Sequence, residues 1–203
     1  MWQLFLNGGP VMWPILLCSI FALAIILEKI WYLRKVSMDN QEFLGKVLAR
    51  MKHHQTKEAL AECEQTSSPV AYILKAGILK YDRTREQIKE AIEDASLYVV
   101  PRLEKNLSAL ATIAHISPLL GLLGTVLGML RCFQAIQGKA SAFAVVLPGD
   151  LALGIWQALL TTVFGLIVAI PTFVAYNYLV SQVNNFILEM EKAATELVNF
   201  LTE

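Results

Sequence analysis

Apolar residues run through this chain in three long blocks. The first extends from about Val11 to Leu33 and stays uncharged until Glu28 and Lys29 near its end. The second lies between Lys105 and Arg131 and holds only uncharged residues, including His115 and Pro118. The third begins after Asp150 and meets no charge until Glu189. A bilayer core about 30 Å thick is crossed by about 20 helical residues, so each block predicts a transmembrane helix. The third holds roughly 38 residues and would measure about 57 Å as one helix, longer than a membrane. Part of it must tilt, or project as a helix held by its neighbours.

Between the first two blocks the pattern becomes mixed and helical. "DNQE" at Asp39 to Glu42 and "TREQ" at Thr84 to Gln87 each set a capping residue three positions before a side-chain acceptor. "SSPV" sets Ser68 before Pro69 at a first helical position. From Thr84 no strong breaker precedes the second span, so one long helix is expected to lead into the membrane, bent at Pro101. No stretch of alternating polarity predicts a strand, and "EMEKAATELVNFLTE" at the C-terminus reads as an amphipathic helix. The expected fold is an all-α integral membrane protein: three transmembrane helices, with long helices extending into a cytoplasmic helical bundle.

Composition agrees: 56% of the residues are hydrophobic and 17% charged, against roughly 25% charged in soluble domains. The 17 Lys and Arg balance the 17 Asp and Glu, so net charge points to no nucleic-acid partner. Cys18, Cys63 and Cys132 stand too far apart for a disulfide framework or a metal site and read as packing thiols. The N-terminus lacks the basic segment of a signal peptide, so the first block is expected to remain as a span.

Thirteen basic residues fall between Arg34 and Lys105, and none precedes Lys29. Positive charge stays cytoplasmic, which outweighs Arg131 and Lys139 on the other side. The expected layout is a periplasmic N-terminus and first transmembrane helix over 1–33 and a cytoplasmic helical region over 34–105. The second transmembrane helix follows over 106–134 and a periplasmic loop over 135–150. The third transmembrane helix with its cytoplasmic extension occupies 151–188, and a cytoplasmic C-terminal helix 189–203.

Within the spans, small residues form stripes. At about 100° per residue, Ala114, Pro118, Gly121, Gly124, Thr125 and Gly128 share one side of the second span, opposite leucine. Gly154, Ala158, Thr161, Thr162, Gly165, Ala169 and Thr172 make a similar stripe on the third. Helices in lipid associate by close packing and interhelical hydrogen bonds, which small residues permit. Pro118 and Pro171 remove backbone bonds that neighbouring groups or water must replace. The threonines admit two readings: each hydroxyl bonds back to its own helix, or Thr125, Thr161 and Thr162 line a narrow, wettable path.

Neither of these spans carries Asp, Glu, Lys or Arg in its core. A proton path along them would have no carboxylate, so either nothing is translocated or a partner inserts one. His115 is the titratable group there, as a packing residue or a relay. Gln157, one turn ahead of the threonine pair, is the most polar side chain at depth, either an interhelical hydrogen bond or part of the path. No Ser/His, His/Glu or Asp/Asp constellation recurs at catalytic spacing, so no enzyme, cofactor or metal is expected.

"SPLLGLLGTVLGML" followed about thirty residues later by "GIWQALLTTVFGLIVAIPTFVAYN" resembles the second and third spans of the MotA/TolQ/ExbB proton-channel family, most closely its TolQ and ExbB branch. The resemblance implies a homopentamer in the bacterial inner membrane around two copies of a single-span ExbD/TolR-like partner. The partner's aspartate sits in the central pore, and the proton motive force acting through it does mechanical work on the envelope, by way of a TonB/TolA-like periplasm-spanning protein. By motif, Thr125 and Thr162 match the pore threonines facing that aspartate. Gln157 stands where the branch carries a glutamate, and a glutamine cannot exchange a proton. The competing reading is a structural membrane scaffold whose stripes only hold an oligomer together.

Overall fold

The computed structural model describes residues 8–36, 40–53, 55–66, 68–141, 145 and 147–202. Among these the regular structure is all helix: α1 (Met12–Val36), α2 (Asn40–Lys52), α3 (Thr56–Gln65), α4 (Pro69–Ile78), α5 (Arg85–Glu104), α6 (Leu107–Ser141) and α7 (Pro148–Thr202). The chain forms two units, Met1–Leu27 with Asn106–Tyr178, and Glu28–Lys105 with Leu179–Glu203. Helices α1 and α7 contribute to both.

The first unit is built from α1, α6 and α7 and is inverted relative to a soluble domain. Its buried positions are mostly small, among them Ala22, Ala114, Ala158 and Ala169, with Met12 and Ile15 from the start of α1. Phe21, Leu119, Leu122, Val126, Leu159, Ile167 and Val174 point outward and are exposed. Contiguous apolar surface on this scale is untenable in water and ordinary in lipid. Among the described residues three helices are long and apolar enough to cross a membrane, with only 17% to 28% of their most apolar stretches buried.

Two boundaries differ from the sequence expectation. The single helix expected from Thr84 into the second span is interrupted, because Asn106 adopts φ 66°, a left-handed conformation that asparagine tolerates better than most residues. The Asn106 carbonyl then accepts from the Leu110 amide at 3.1 Å and begins α6. At its other end α6 runs on through "QGKAS" to Ser141, and α7 starts at Pro148. The connection expected over 135–150 is therefore shorter, since Gly138 alone costs a helix only about 1 kcal/mol. Helix α7 continues unbroken to Thr202.

The second unit has a conventional core. Along α7, Leu179, Val183, Phe186, Met190, Ala193 and Leu197 are buried at alternating spacings of four and three, the stripe of a helix that packs on one side. Phe43, Val47, Ile73, Leu74, Ile88 and Ile92 of the same unit are buried as well. A Cβ at Gly77 of α4 would lie 2.8 Å from Leu197 and 2.9 Å from Ile92, so α4, α5 and α7 meet where glycine leaves room. The capping box is formed at Thr84, whose hydroxyl accepts from the Gln87 amide. Ser68 precedes Pro69 as expected, yet its buried hydroxyl finds no partner among the described residues. Asp39 lies outside the described residues. Arg50 joins α2 to α3 through Glu58 at 3.0 Å and Glu62 at 2.5 Å. Lys29, only 3% exposed, donates from Nζ to the Leu103 carbonyl at 2.8 Å and the Arg102 carbonyl at 3.4 Å, satisfying backbone acceptors at the end of α5.

Candidate functional site

The two small-residue stripes meet each other. A Cβ on Gly121 would lie 3.0 Å from the Thr162 Cα and 3.1 Å from the Thr161 carbonyl oxygen. On Gly128 it would lie 2.6 Å from the Gly154 oxygen, and on Gly165 2.7 Å from the Ser117 oxygen. These neighbours are backbone, so α6 and α7 touch main chain to main chain along a seam that no larger residue could enter. Thr161 sits inside it, wholly buried, with its side chain where a Cβ on Gly124 would fall. Ala158 closes the seam beside Gly128.

The hydroxyls have partners within the chain. Thr125 Oγ1 donates to the Leu122 carbonyl at 2.6 Å, and Thr161 Oγ1 to Ala158 at 2.8 Å. Thr172 donates to Val168 at 2.6 Å and Ser117 to Ile113 at 2.8 Å. Thr162 differs: its hydroxyl lies 3.3 Å from the Ala158 carbonyl of its own helix and 3.4 Å from the Gly121 carbonyl of α6. It is half-buried, and so is Thr125. Thr161 and Thr162, adjacent in sequence, thus divide between the interior of the seam and its edge.

His115 is exposed on α6, with Nδ1 at 2.7 Å from the Ala111 carbonyl and its ring edge-on to Phe173 at 6.0 Å. Nδ1 must carry the proton to make that bond. Pro118 is half-buried, whereas Pro171 is exposed.

Gln157 is 6% exposed and engaged at both ends of its amide. Its oxygen accepts from the Arg131 guanidinium of α6, and its nitrogen donates to the Gly8 carbonyl at 3.2 Å. Sequence reasoning missed Arg131 and the Gly8–Gly9 pair as members of this cluster. The available signals were a lone cation next to an uncharged span and a Gly-Gly-Pro run ahead of another. Next to Arg131, the buried Cys132 donates from Sγ to the Leu151 carbonyl at 3.3 Å.

Residues 65–192 match the model of the MotA/TolQ/ExbB proton channel family. A putative biopolymer transport protein ExbB homolog of Methanothermobacter thermautotrophicus is 32% identical over 190 residues, covering 93% of this chain and 66% of the relative. The putative biopolymer transport protein ExbB-like 3 of Synechocystis is 32% identical over 173 residues, 84% of this chain and 80% of that protein. The Tol-Pal system protein TolQ of Haemophilus influenzae is 42% identical over 86 residues, 42% of this chain and 36% of its own length.

Proposed function

The chain belongs to the MotA/TolQ/ExbB proton channel family, and from that premise we propose that it is the channel subunit of a proton-driven motor in the bacterial inner membrane. In this reading five copies surround two copies of a single-span ExbD/TolR-like partner, whose aspartate supplies the carboxylate that the apolar stretches of α6 and α7 lack. Proton uptake and release at that aspartate, driven by the proton motive force, turn ring and partner against each other. A TonB/TolA-like protein carries the work across the periplasm to energise transport or maintain the envelope. The N-terminus is periplasmic, and residues 34–105 and the C-terminal part of α7 are cytoplasmic.

The observation that supports this reading best is Thr162: a hydroxyl at the edge of a seam otherwise closed by backbone, between carbonyls of two helices. There it can leave its long bond to Gly121 and hydrogen-bond a carboxylate presented by a partner, as can Thr125 beside the stripe. Thr161 is a packing residue in this scheme, and His115 stands outside the path. Gln157 exchanges no proton.

One feature favours the scaffold instead: every seam hydroxyl already has an acceptor within the protomer. Thr162→Val separates the two, because it keeps the shape and removes the donor. With the assembly in liposomes under an imposed proton gradient, the motor reading expects flux to fall about 10- to 100-fold, the worth of one hydrogen bond to a charged group. Unchanged flux would leave the scaffold. Native mass of the detergent-extracted chain, with and without a single-span partner, checks the ring: a pentamer taking up two partner helices supports it, and a dimer or trimer removes the pore.

A further inference from the structure

The stretch just ahead of α1 is held in place by burial and by its backbone. Gly8 is buried, and Val11, Met12 and Ile15 are at most 6% exposed. Gly9 adopts φ +74°, and the α1 ladder starts directly from it, with the Met12 amide on the Gly9 carbonyl at 3.2 Å. A side chain at either glycine would displace its neighbours, and at Gly9 it would also strain the backbone. A Cβ on Gly8 would overlap Met12, with its Sδ at 2.7 Å. One on Gly9 would overlap the Gln157 amide nitrogen, with the Arg131 guanidinium at 3.3 Å.

The amide of Gln157 is matched to this place. It must accept from a cation and donate to a carbonyl at once; a carboxylate could do only the first, and an apolar side chain neither. Gln157 lies one helical turn from Thr161 and Thr162, and Thr161 Oγ1 reaches its backbone carbonyl at 3.3 Å. Between the exposed Arg131 and the threonines there is therefore one buried polar side chain, with both of its ends occupied.

We propose that the Gly8–Gly9 turn is a plug, pinned by Gln157 and Arg131, that seals this end of the α6/α7 seam against water and ions. Gln157 is a positioning residue that holds the seal and carries no proton. The proposal rests on reading the chain as a channel subunit, whichever side chains line its path, since a seal matters only where something can pass.

The test uses the full chain in its native assembly, as wild type, Gly9→Ala, Gln157→Leu and Gln157→Glu. Amide exchange is followed over residues 8–13, and passive proton leak is followed in liposomes under a potassium diffusion potential. Gly9→Ala and Gln157→Leu should each speed exchange and raise leak by about tenfold, the worth of a buried hydrogen bond to a charged group. Gln157→Glu, which keeps Arg131 and loses Gly8, should fall between. If Gly9→Ala does not assemble, the two Gln157 variants decide. Faster exchange without leak would overturn the seal, and no change in either would overturn the pin. Adding Thr162→Val to Gln157→Leu separates the two readings. Leak that returns to baseline supports a path past Thr162, whereas leak that persists sinks that path and leaves the plug standing.

Discussion

Methyl groups added along the seam should act as wedges whose effect depends on position alone. A methyl on Gly128 would lie 2.6 Å from the Gly154 oxygen, and one on Gly165 2.7 Å from the Ser117 oxygen. A carbon–oxygen contact wants about 3.3 Å or more, so the helices must part locally by about 0.7 Å, enough to forfeit a quarter to a half of the dispersion energy across the gap. Gly138, on the same helix, has nothing within 4 Å of its Cβ position, so Gly138→Ala isolates the gain in helix propensity, about 1 kcal/mol. Relative to that control, Gly128→Ala and Gly165→Ala should each be destabilised by about 1–3 kcal/mol, the usual cost of overpacking. Gly128 and Gly154 each confront the other's carbonyl, and Gly154 also confronts the Cys132 thiol. Once the first methyl has parted the helices, the second enters more cheaply, so the double variant should cost at least about 0.5 kcal/mol less than the sum. The assay is unfolding by sodium dodecyl sulfate in mixed micelles, read by circular dichroism. Single variants within about 0.5 kcal/mol of Gly138→Ala would refute main-chain contact between α6 and α7.

Three further outcomes concern the second unit. Lys29→Met strips the donor from the Leu103 and Arg102 carbonyls and should cost about 1–3 kcal/mol in the same titration, with Lys29→Arg recovering part of it. Thr84→Ala dismantles the capping box, which predicts a loss of about 1 kcal/mol and faster exchange of the Gln87 amide. Burial, with the Glu62 carboxylate beside it, pushes the Cys63 thiol up from 9.0 to about 11. Its thiolate near pH 8 should be scarcer by about 100-fold, and iodoacetamide labelling slower by at least that factor. Because the folded-state pKa lies above the unfolded value, Cys63 supports the fold fully below about pH 9, and that support fades as pH rises towards about 11. Thermal melts of wild type against Cys63→Ala across that window check the sign.

Periodicity made the stripes legible, since Gly121, Gly124 and Gly128 lie three and four apart and only one side of a helix carries that spacing. Their use in packing was legible too, because lipid leaves close packing as the means of association, but which stripe each one meets is decided by the fold. The split between Thr161 and Thr162 was not: the residues point about 100° apart, and helix crossing geometry decides which enters the seam. The break at Asn106 carries no glycine or proline as a marker, and a single left-handed asparagine in an otherwise helical stretch reads like any polar residue. Gln157 was singled out as a buried amide in need of partners, but those partners lie 26 and 149 positions away, beyond any local pattern. Ser68 shows the reverse: serine before proline predicts the helix start, and the hydroxyl that suggests it makes no bond among the described residues.

The main-chain contact between α6 and α7 has a consequence for how this sequence can drift. Every single-base missense change in a glycine codon installs a larger residue, whether alanine, serine, valine, cysteine, arginine, tryptophan or an acid. Gly121, Gly128, Gly154 and Gly165 consequently have no neutral neighbours in the genetic code, because nothing smaller exists and each confronts backbone that cannot be trimmed in compensation, whereas Gly124 confronts the Thr161 side chain. The outward leucines, isoleucines and valines of the same helices exchange freely by single-base steps among side chains that lipid does not distinguish. Variation in the spans is thus steered to the outer faces, and the inner geometry is protected by the lack of any tolerated substitute.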